Sequence, residues 1–247
     1  MNKILNIDIP RDNRKTILDK ILKGQLPKNT FTHIVSLNPE ILYLTYKSKL
    51  FKEIVKSAKI KLIDGIGIVI AAQILGIKAG ERYTGVDFIN DVSSSNKVGR
   101  LRLVFLGGRG KLAESLANCY SNKYAQNSFF GLQGIKNIKK IKKSENDKIF
   151  SIIAQVKPHF LFVSFGSPFQ EIWIWENKSK LKGIICMGVG GAFDFLSGNI
   201  KRAPKFIQKI GLEWLYRLLR QPWRIKRQTR LIKFMYLVFK QKMFKSK

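Results

Sequence analysis

The chain has 247 residues, with 46 Lys and Arg against 16 Asp and Glu, a formal net charge of +30, and 45% hydrophobic residues. That apolar content excludes a disordered basic tail, and the length suits one large domain or one domain with an appendage. The charge therefore belongs to a folded protein and calls for a polyanionic partner or an anionic surface.

Apolar, β-rich runs fall at Thr32–Leu37, Ile60–Ile63, Leu101–Leu106, His159–Phe165 and Gly183–Met187, with a weaker one at Ser128–Leu132. Helical patterns lie between them at Pro39–Tyr46, Ile66–Leu75, Lys111–Tyr124, Asn146–Val156 and Pro168–Leu181. This alternation predicts an α/β fold with a mostly parallel sheet covered by helices. Strands so continuously apolar fit burial on both faces. The lysine-rich stretch Gly134–Asp147 reads as an exposed loop leading into a helix.

The composition changes near Lys201. Residues 201–247 hold 15 Lys and Arg and one acid, Glu213. This divides the chain into an α/β core, 1–200, and a basic helical appendage, 201–247. The appendage reads as two helices, roughly Ala203–Arg220 and Trp223–Phe244, interrupted at Pro222. In the second, Leu231, Phe234, Met235, Val238 and Phe239 share one helical face, with Lys226, Arg230, Lys233 and Lys240 largely off it. Such a stripe suits an anionic membrane surface, or packing on the protein's own domain or on a dimer partner. The aromatics Trp214, Tyr216, Trp223, Phe234, Tyr236, Phe239 and Phe244 favour an interface.

Cys119 and Cys186 are far apart and make neither a disulfide framework nor a CxxC motif, which fits a reducing interior. Residues Met1–Arg14 lack the apolar core of a signal peptide. The longest stretches without Asp, Glu, Lys or Arg are 13 residues, Gly65–Ile77 and Pro158–Gln170. Both are short of the roughly 20 residues of a membrane span. A soluble or peripheral protein is expected.

In an open α/β sheet, ligands bind beyond the carboxyl ends of the strands. Five such ends carry polar or glycine residues: Ser36–Glu40, Asp64–Gly67, Gly107–Gly110, Gly166–Glu171 and Gly188–Asp194. The loops with Gly107 and Gly108, and with Gly188 and Gly190, are candidate diphosphate cradles or ordinary strand-to-helix turns. Neither matches GxGxxG or GxxxxGK[ST], which argues against a nicotinamide-dependent oxidoreductase. Asp64 is a candidate general base or a helix N-cap. His33 and His159 lie in or beside apolar strands and read as packed or solvated. No metal-ligand spacing and no Asp-x-Asp appear, so no metal and no cofactor are expected.

Several strings together resemble one family. They are Ser36–Glu40, Asp64–Gly67, Glu81-Arg82-Tyr83-Thr84-Gly85-Val86-Asp87, Gly166–Glu171 and the block Gly188–Arg227, which contains GVGGAFDFLSG, KRAP and GLEWLYRLLRQPWR. In that order they resemble the WecG/TagA/CpsF family of bacterial glycosyltransferases over about Phe31–Arg227. The resemblance implies a Rossmann-like core with a membrane-contacting C-terminal appendage. It also implies an inverting, metal-independent transfer of a sugar, N-acetylmannosamine-type or a related hexose. The donor would be a UDP-sugar and the acceptor a polyprenyl-diphosphate-linked sugar, for teichoic acid or other surface polysaccharide. Peripheral attachment to the cytoplasmic face of the plasma membrane follows.

By the same resemblance, Asp64 is the base that deprotonates the acceptor hydroxyl, and Asn38 shares its pocket. Ser36 stands where the family usually has Thr, and Leu37 where a small residue or Pro is usual. Gln170 lies near the sugar, Arg82 and Asp87 contact substrate, and Gly166 belongs to a matching loop. Arg217, Arg224 and Arg227 neutralise the leaving diphosphate, as guanidinium groups can. A basic nucleic-acid-binding protein is the competing reading of the charge, but no RNA-binding signature or helix-turn-helix pattern accompanies it. A homo-oligomer stays open.

Overall fold

The computed structural model describes residues 2–23, 30–97, 99–222 and 225–245, with the backbone alone for Lys209, Lys226, Arg227 and Lys245. A short hairpin, β1 (Lys3–Ile4) and β2 (Ile7–Asp8), precedes α1 (Arg14–Leu22). Then follow β3 (Thr32–Leu37), α2 (Pro39–Lys47), α3 (Lys49–Ser57), β4 (Ile60–Ile63), α4 (Ile66–Ile74) and α5 (Gly85–Ser93). The second half of the core is β5 (Arg102–Gly107), α6 (Leu112–Lys123), β6 (Ser128–Leu132), α7 (Lys143–Val156), β7 (Phe160–Ser164), α8 (Phe169–Glu176), β8 (Ile185–Gly188) and α9 (Ala192–Leu196). The appendage contributes α10 (Lys205–Lys209), α11 (Glu213–Arg220) and α12 (Ile225–Lys245).

Strands β3 to β8 form one parallel six-stranded sheet in the order β4-β3-β8-β7-β5-β6. Its register pairs Leu37 with Ile63, Ile34 with Met187 and Leu161 with Cys186. Alternate residues of each strand enter opposite cores, as the pleat requires. Leu103, Phe105, Phe160 and Phe162 pack with α1, α5, α6 and α9 on one face. Val104, Leu106, Leu161 and Val163 pack toward α7 and α8 on the other, where Val35, Leu37 and Ile63 meet α2, α3 and α4. The result is a Rossmann-like layered α/β fold.

The last helix does not present its apolar stripe to a membrane. Phe234 and Val238 are fully buried, and with Leu231 and Met235 they join the cluster of α2 and α4. Of the predicted stripe, only Phe239 is exposed. The stripe is covered because α2 and α4 offer it Ile41, Leu42, Ile68 and Ala71. Two polar ties fix the helix: Arg230 pairs with Glu40 of α2, and Gln241 bonds Leu5 N at 2.8 Å and Lys3 O at 3.0 Å. The first appendage helix is also split. Gly211 at φ +78° separates α10 from α11. No helix among the described residues is long and apolar enough to cross a membrane.

Candidate active site

A cavity of about 520 Å³ opens at the carboxyl ends of β3, β4, β7 and β8, within the range typical of small-molecule sites. Ser36, Asn38, Asp64, Arg82, Gly166, Gln170, Gly188, Gly190 and Arg217 all line it. The sheet order explains the gathering, since the loops after these four neighbouring strands share one edge. The appendage closes the cavity from outside with Gly211, Glu213, Trp214, Gln228, Leu231 and Met235.

Asp64 follows β4 directly, and its backbone N–H donates to Leu37 O at 2.9 Å. It does not cap α4: the N-cap is Gly65, with no side-chain capping bond. Burial pushes the Asp64 carboxyl up to about 6; the charges of Glu213 and Asp87 act in the same sense, while Ser36 and Arg82 oppose them. The Ser36 hydroxyl is buried and makes no hydrogen bond of ordinary geometry among the described residues. Asn38 caps α2, its Oδ1 accepting from Ile41 N at 3.0 Å. Arg82 donates to Gln208 O at 2.7 Å and so ties the cavity wall to α10.

The two glycine loops are placed differently with respect to the cavity. Gly107 and Gly108 do not line the cavity. Strand β5 lies beyond β7, and its turn is filled from within: a Cβ on Gly107 would lie 2.9 Å from the Phe165 ring, and one on Gly108 3.1 Å from Leu112. The Gly188–Gly191 turn does line the cavity, but its donors are largely used. Val189 N bonds Val163 O, Gly190 N bonds Gln170 Oε1 and Ala192 N bonds Val189 O.

Asp87 lies behind the cavity wall. Its carboxylate accepts from Thr84 Oγ1 at 2.8 Å and from Arg202 Nη1 at 2.8 Å. These two partners hold its pKa below the usual carboxylate range against the cost of burial. Arg202 itself lines the cavity and also bonds Glu213 Oε1 at 3.0 Å. Arg217 on α11 stacks over the Phe195 ring at 4.4 Å and lies 3.6 Å from Asp194 Oδ2. Arg224 lies outside the described residues, as does the side chain of Arg227. Neither His33, buried in β3, nor His159, whose Nδ1 accepts from Arg102 N, lines the cavity. No group of three or more His, Cys, Asp or Glu side chains suited to a metal ion occurs among the described residues.

Sequence reasoning missed four cavity residues as a working set: Glu40, Glu171, Arg202 and Glu213. Arg202 had a signal in the KRAP string, and Glu213 is the one acid in residues 201–247. Glu171 sits beside Gln170 in a matched string, but nothing local marks it as buried.

Similarity to known proteins identifies the family. The model of the glycosyl transferase WecG/TagA/CpsF family matches residues 2–247. The N-acetylglucosaminyldiphosphoundecaprenol N-acetyl-beta-D-mannosaminyltransferase of Bacillus subtilis (strain 168) is 27% identical over 238 residues, covering 96% of this chain and 91% of that protein. The enzyme of the same name from Staphylococcus aureus (strain MW2) is 28% identical over 242 residues, covering 97% and 92%. The chain therefore belongs to the WecG/TagA/CpsF family and is a glycosyltransferase.

Proposed function

We propose that the protein transfers an N-acetylmannosamine-type sugar, or a related hexose, from a UDP-sugar to a polyprenyl-diphosphate-linked sugar, with inversion. The relatives' names describe N-acetyl-beta-D-mannosaminyl transfer to an N-acetylglucosaminyl-diphosphoundecaprenol. The observation that carries the reading is Asp64. A carboxyl held near pKa 6 in a cavity is ionised at neutral pH yet basic enough to take a hydroxyl proton.

In this mechanism the acceptor hydroxyl gives its proton to Asp64 as its oxygen bonds to the anomeric carbon. The bond from that carbon to the diphosphate breaks on the opposite face, so configuration inverts. Negative charge grows on the leaving diphosphate. Arg217, at the cavity wall, is placed to meet it with fixed guanidinium donors, and Arg224 and Arg227 are assigned the same task. The transfer then needs no metal ion. Ser36 and Asn38 shape the pocket of the base, and Arg82 bounds it.

The acceptor is tethered to a lipid, so the cavity must reach a membrane surface. Large apolar side chains are exposed around the appendage: Phe206 and Leu219, and on α12 Ile232, Tyr236 and Phe244. Exposed basic residues, including Lys201, Lys205, Arg220 and Lys233, accompany them. Trp214 and Ile70 are exposed and also line the cavity. Apolar side chains interleaved with cations suit an anionic bilayer better than a nucleic-acid backbone. Peripheral attachment at the cytoplasmic face follows from this reading, with residues 201–247 as the attaching unit. A panel of UDP-sugars with a short-chain lipid-diphosphate acceptor tests it: turnover with one or more is expected, and turnover with none refutes the reading.

A further inference from the structure

Gln170 would lie beside the transferred sugar by family resemblance, yet its amide is fully used inside the protein. An amide offers one oxygen with two lone pairs and two N–H donors. Its Oε1 accepts from Gly166 N at 3.1 Å and Gly190 N at 2.9 Å. Its Nε2 donates to Ser167 Oγ at 3.2 Å and to Glu171 Oε1 at 2.7 Å. The residue is 3% exposed. No donor or acceptor remains for a sugar hydroxyl.

Glu171 fixes that arrangement from one side as the Gly166 and Gly190 N–H groups fix it from the other. Glu171 is 2% exposed, and Ser167 Oγ also donates to its Oε1 at 3.0 Å. Its Oε2 has no hydrogen-bond partner among the described residues. Oε1 thus gathers both of the side chain's hydrogen bonds. Facing that oxygen, the Gln170 amide must turn Nε2 toward Glu171 and Oε1 toward the two backbone N–H groups. Bonds in such a chain reinforce one another. The bond network spans the loops after β7 and β8, and both loops line the cavity. Gly188 leaves the room: a Cβ there would lie 2.7 Å from Gln170 Nε2.

We propose that Glu171 is a positioning residue for the transfer, acting through Gln170 to hold the Gly166–Ser167 and Gly188–Gly190 loops at the spacing that the sugar nucleotide needs. The substrate in this inference rests on the function proposed above; the tie between the loops does not.

The test compares Glu171→Leu, which removes the acceptor, with Glu171→Gln, which keeps one. Glu171→Leu should raise KM for the sugar nucleotide about tenfold or more, with a smaller fall in kcat. Glu171→Gln should restore KM to within about threefold of wild type, and the acid limb of the pH profile should stay in place in both. Should Glu171→Leu fail to fold, Gln170→Ala breaks the same tie and should raise KM likewise. Wild-type KM in Glu171→Leu or Gln170→Ala would overturn the proposal. So would a Glu171→Gln variant as impaired as Glu171→Leu, or one with a displaced acid limb, since either marks a proton-transfer role. Amide hydrogen exchange at Gly166 and Gly190 needs no substrate. It should quicken in Glu171→Leu and stay unchanged in Glu171→Gln; unchanged exchange in both overturns the tie. A wild-type protein inert toward every sugar nucleotide would refute the proposed function, while the exchange data would still decide the tie.

Discussion

Arg202 Nη1 lies 2.8 Å from Asp87 Oδ1, 115 residues away in sequence, and Arg202 Nε lies 3.0 Å from Glu213 Oε1. One guanidinium thus joins α5 of the core to α11 of the appendage. It also neutralises two carboxylates whose charges push the pKa of Asp64 upward. Asp87 serves this junction and does not line the cavity.

Arg202→Met should therefore act on stability and on pH dependence together. Leaving two half-buried carboxylates without their partner should cost about 1–3 kcal/mol, read by denaturant unfolding. Their uncompensated charge should move the acid limb of kcat/KM to higher pH. Arg202→Lys should recover only part of both effects, since an ammonium cannot reproduce the fork.

Asp64→Asn should lower kcat by about 10²–10⁴-fold with the fold intact. In the wild type, kcat/KM should fall as pH drops through about 6, where Asp64 takes up its proton. The stability effect has the opposite sense. Burial raises the carboxyl from 3.8 to about 6, so its protonated form favours the folded state. That contribution is fully present below the unfolded value and is lost as pH rises through about 6. Asn carries no such penalty, so the variant should be the more stable protein above that pH, by about 1–3 kcal/mol. Thermal melts at pH 5 and pH 8 check this.

The two faces of α12 should separate by mutation. Phe234→Ala removes a buried ring and should cost about 3–5 kcal/mol. Ile232→Ser and Tyr236→Ser alter exposed positions and should change stability by no more than about 0.5 kcal/mol. They should weaken sedimentation with vesicles of anionic lipid, and added salt should weaken it further.

Arg217→Ala should lower kcat by about 10²–10³-fold, the scale seen when one donor to developing charge is removed. Activity of the wild type should survive EDTA. Steady-state kinetics with and without chelator check both.

The inner strands of the sheet were legible because they are buried on two faces and read as apolar runs, whereas edge strand β6, with Phe130 exposed, reads more weakly. Thr32–Leu37 and Ile60–Ile63 match to the residue. Helices α3 and α5 were not read from the pattern, although α3 buries Phe51, Ile54 and Val55 at helical spacing. The β1–β2 hairpin gave little to read: its strands have two residues each, and its turn uses Leu5 and Asn6 at φ 48° and 65° rather than glycine. The stripe of α12 was visible as a periodicity, but periodicity does not say what covers it. Asp64, Ser36 and Asn38 were legible because they end neighbouring strands. Glu171 was not, and Arg202 was visible only as part of the KRAP string, because the burial of the one and the partners of the other exist only once distant segments fold together.

The most direct measurement is product analysis with UDP-N-acetylmannosamine and an N-acetylglucosaminyl-diphosphate on a short polyprenyl chain, using wild type and Asp64→Asn. The wild type should add one N-acetylhexosamine in β linkage, and the variant almost none. An α-linked product, no transfer by the wild type from this or any other UDP-sugar of the panel, or equal transfer by Asp64→Asn would contradict this mechanism.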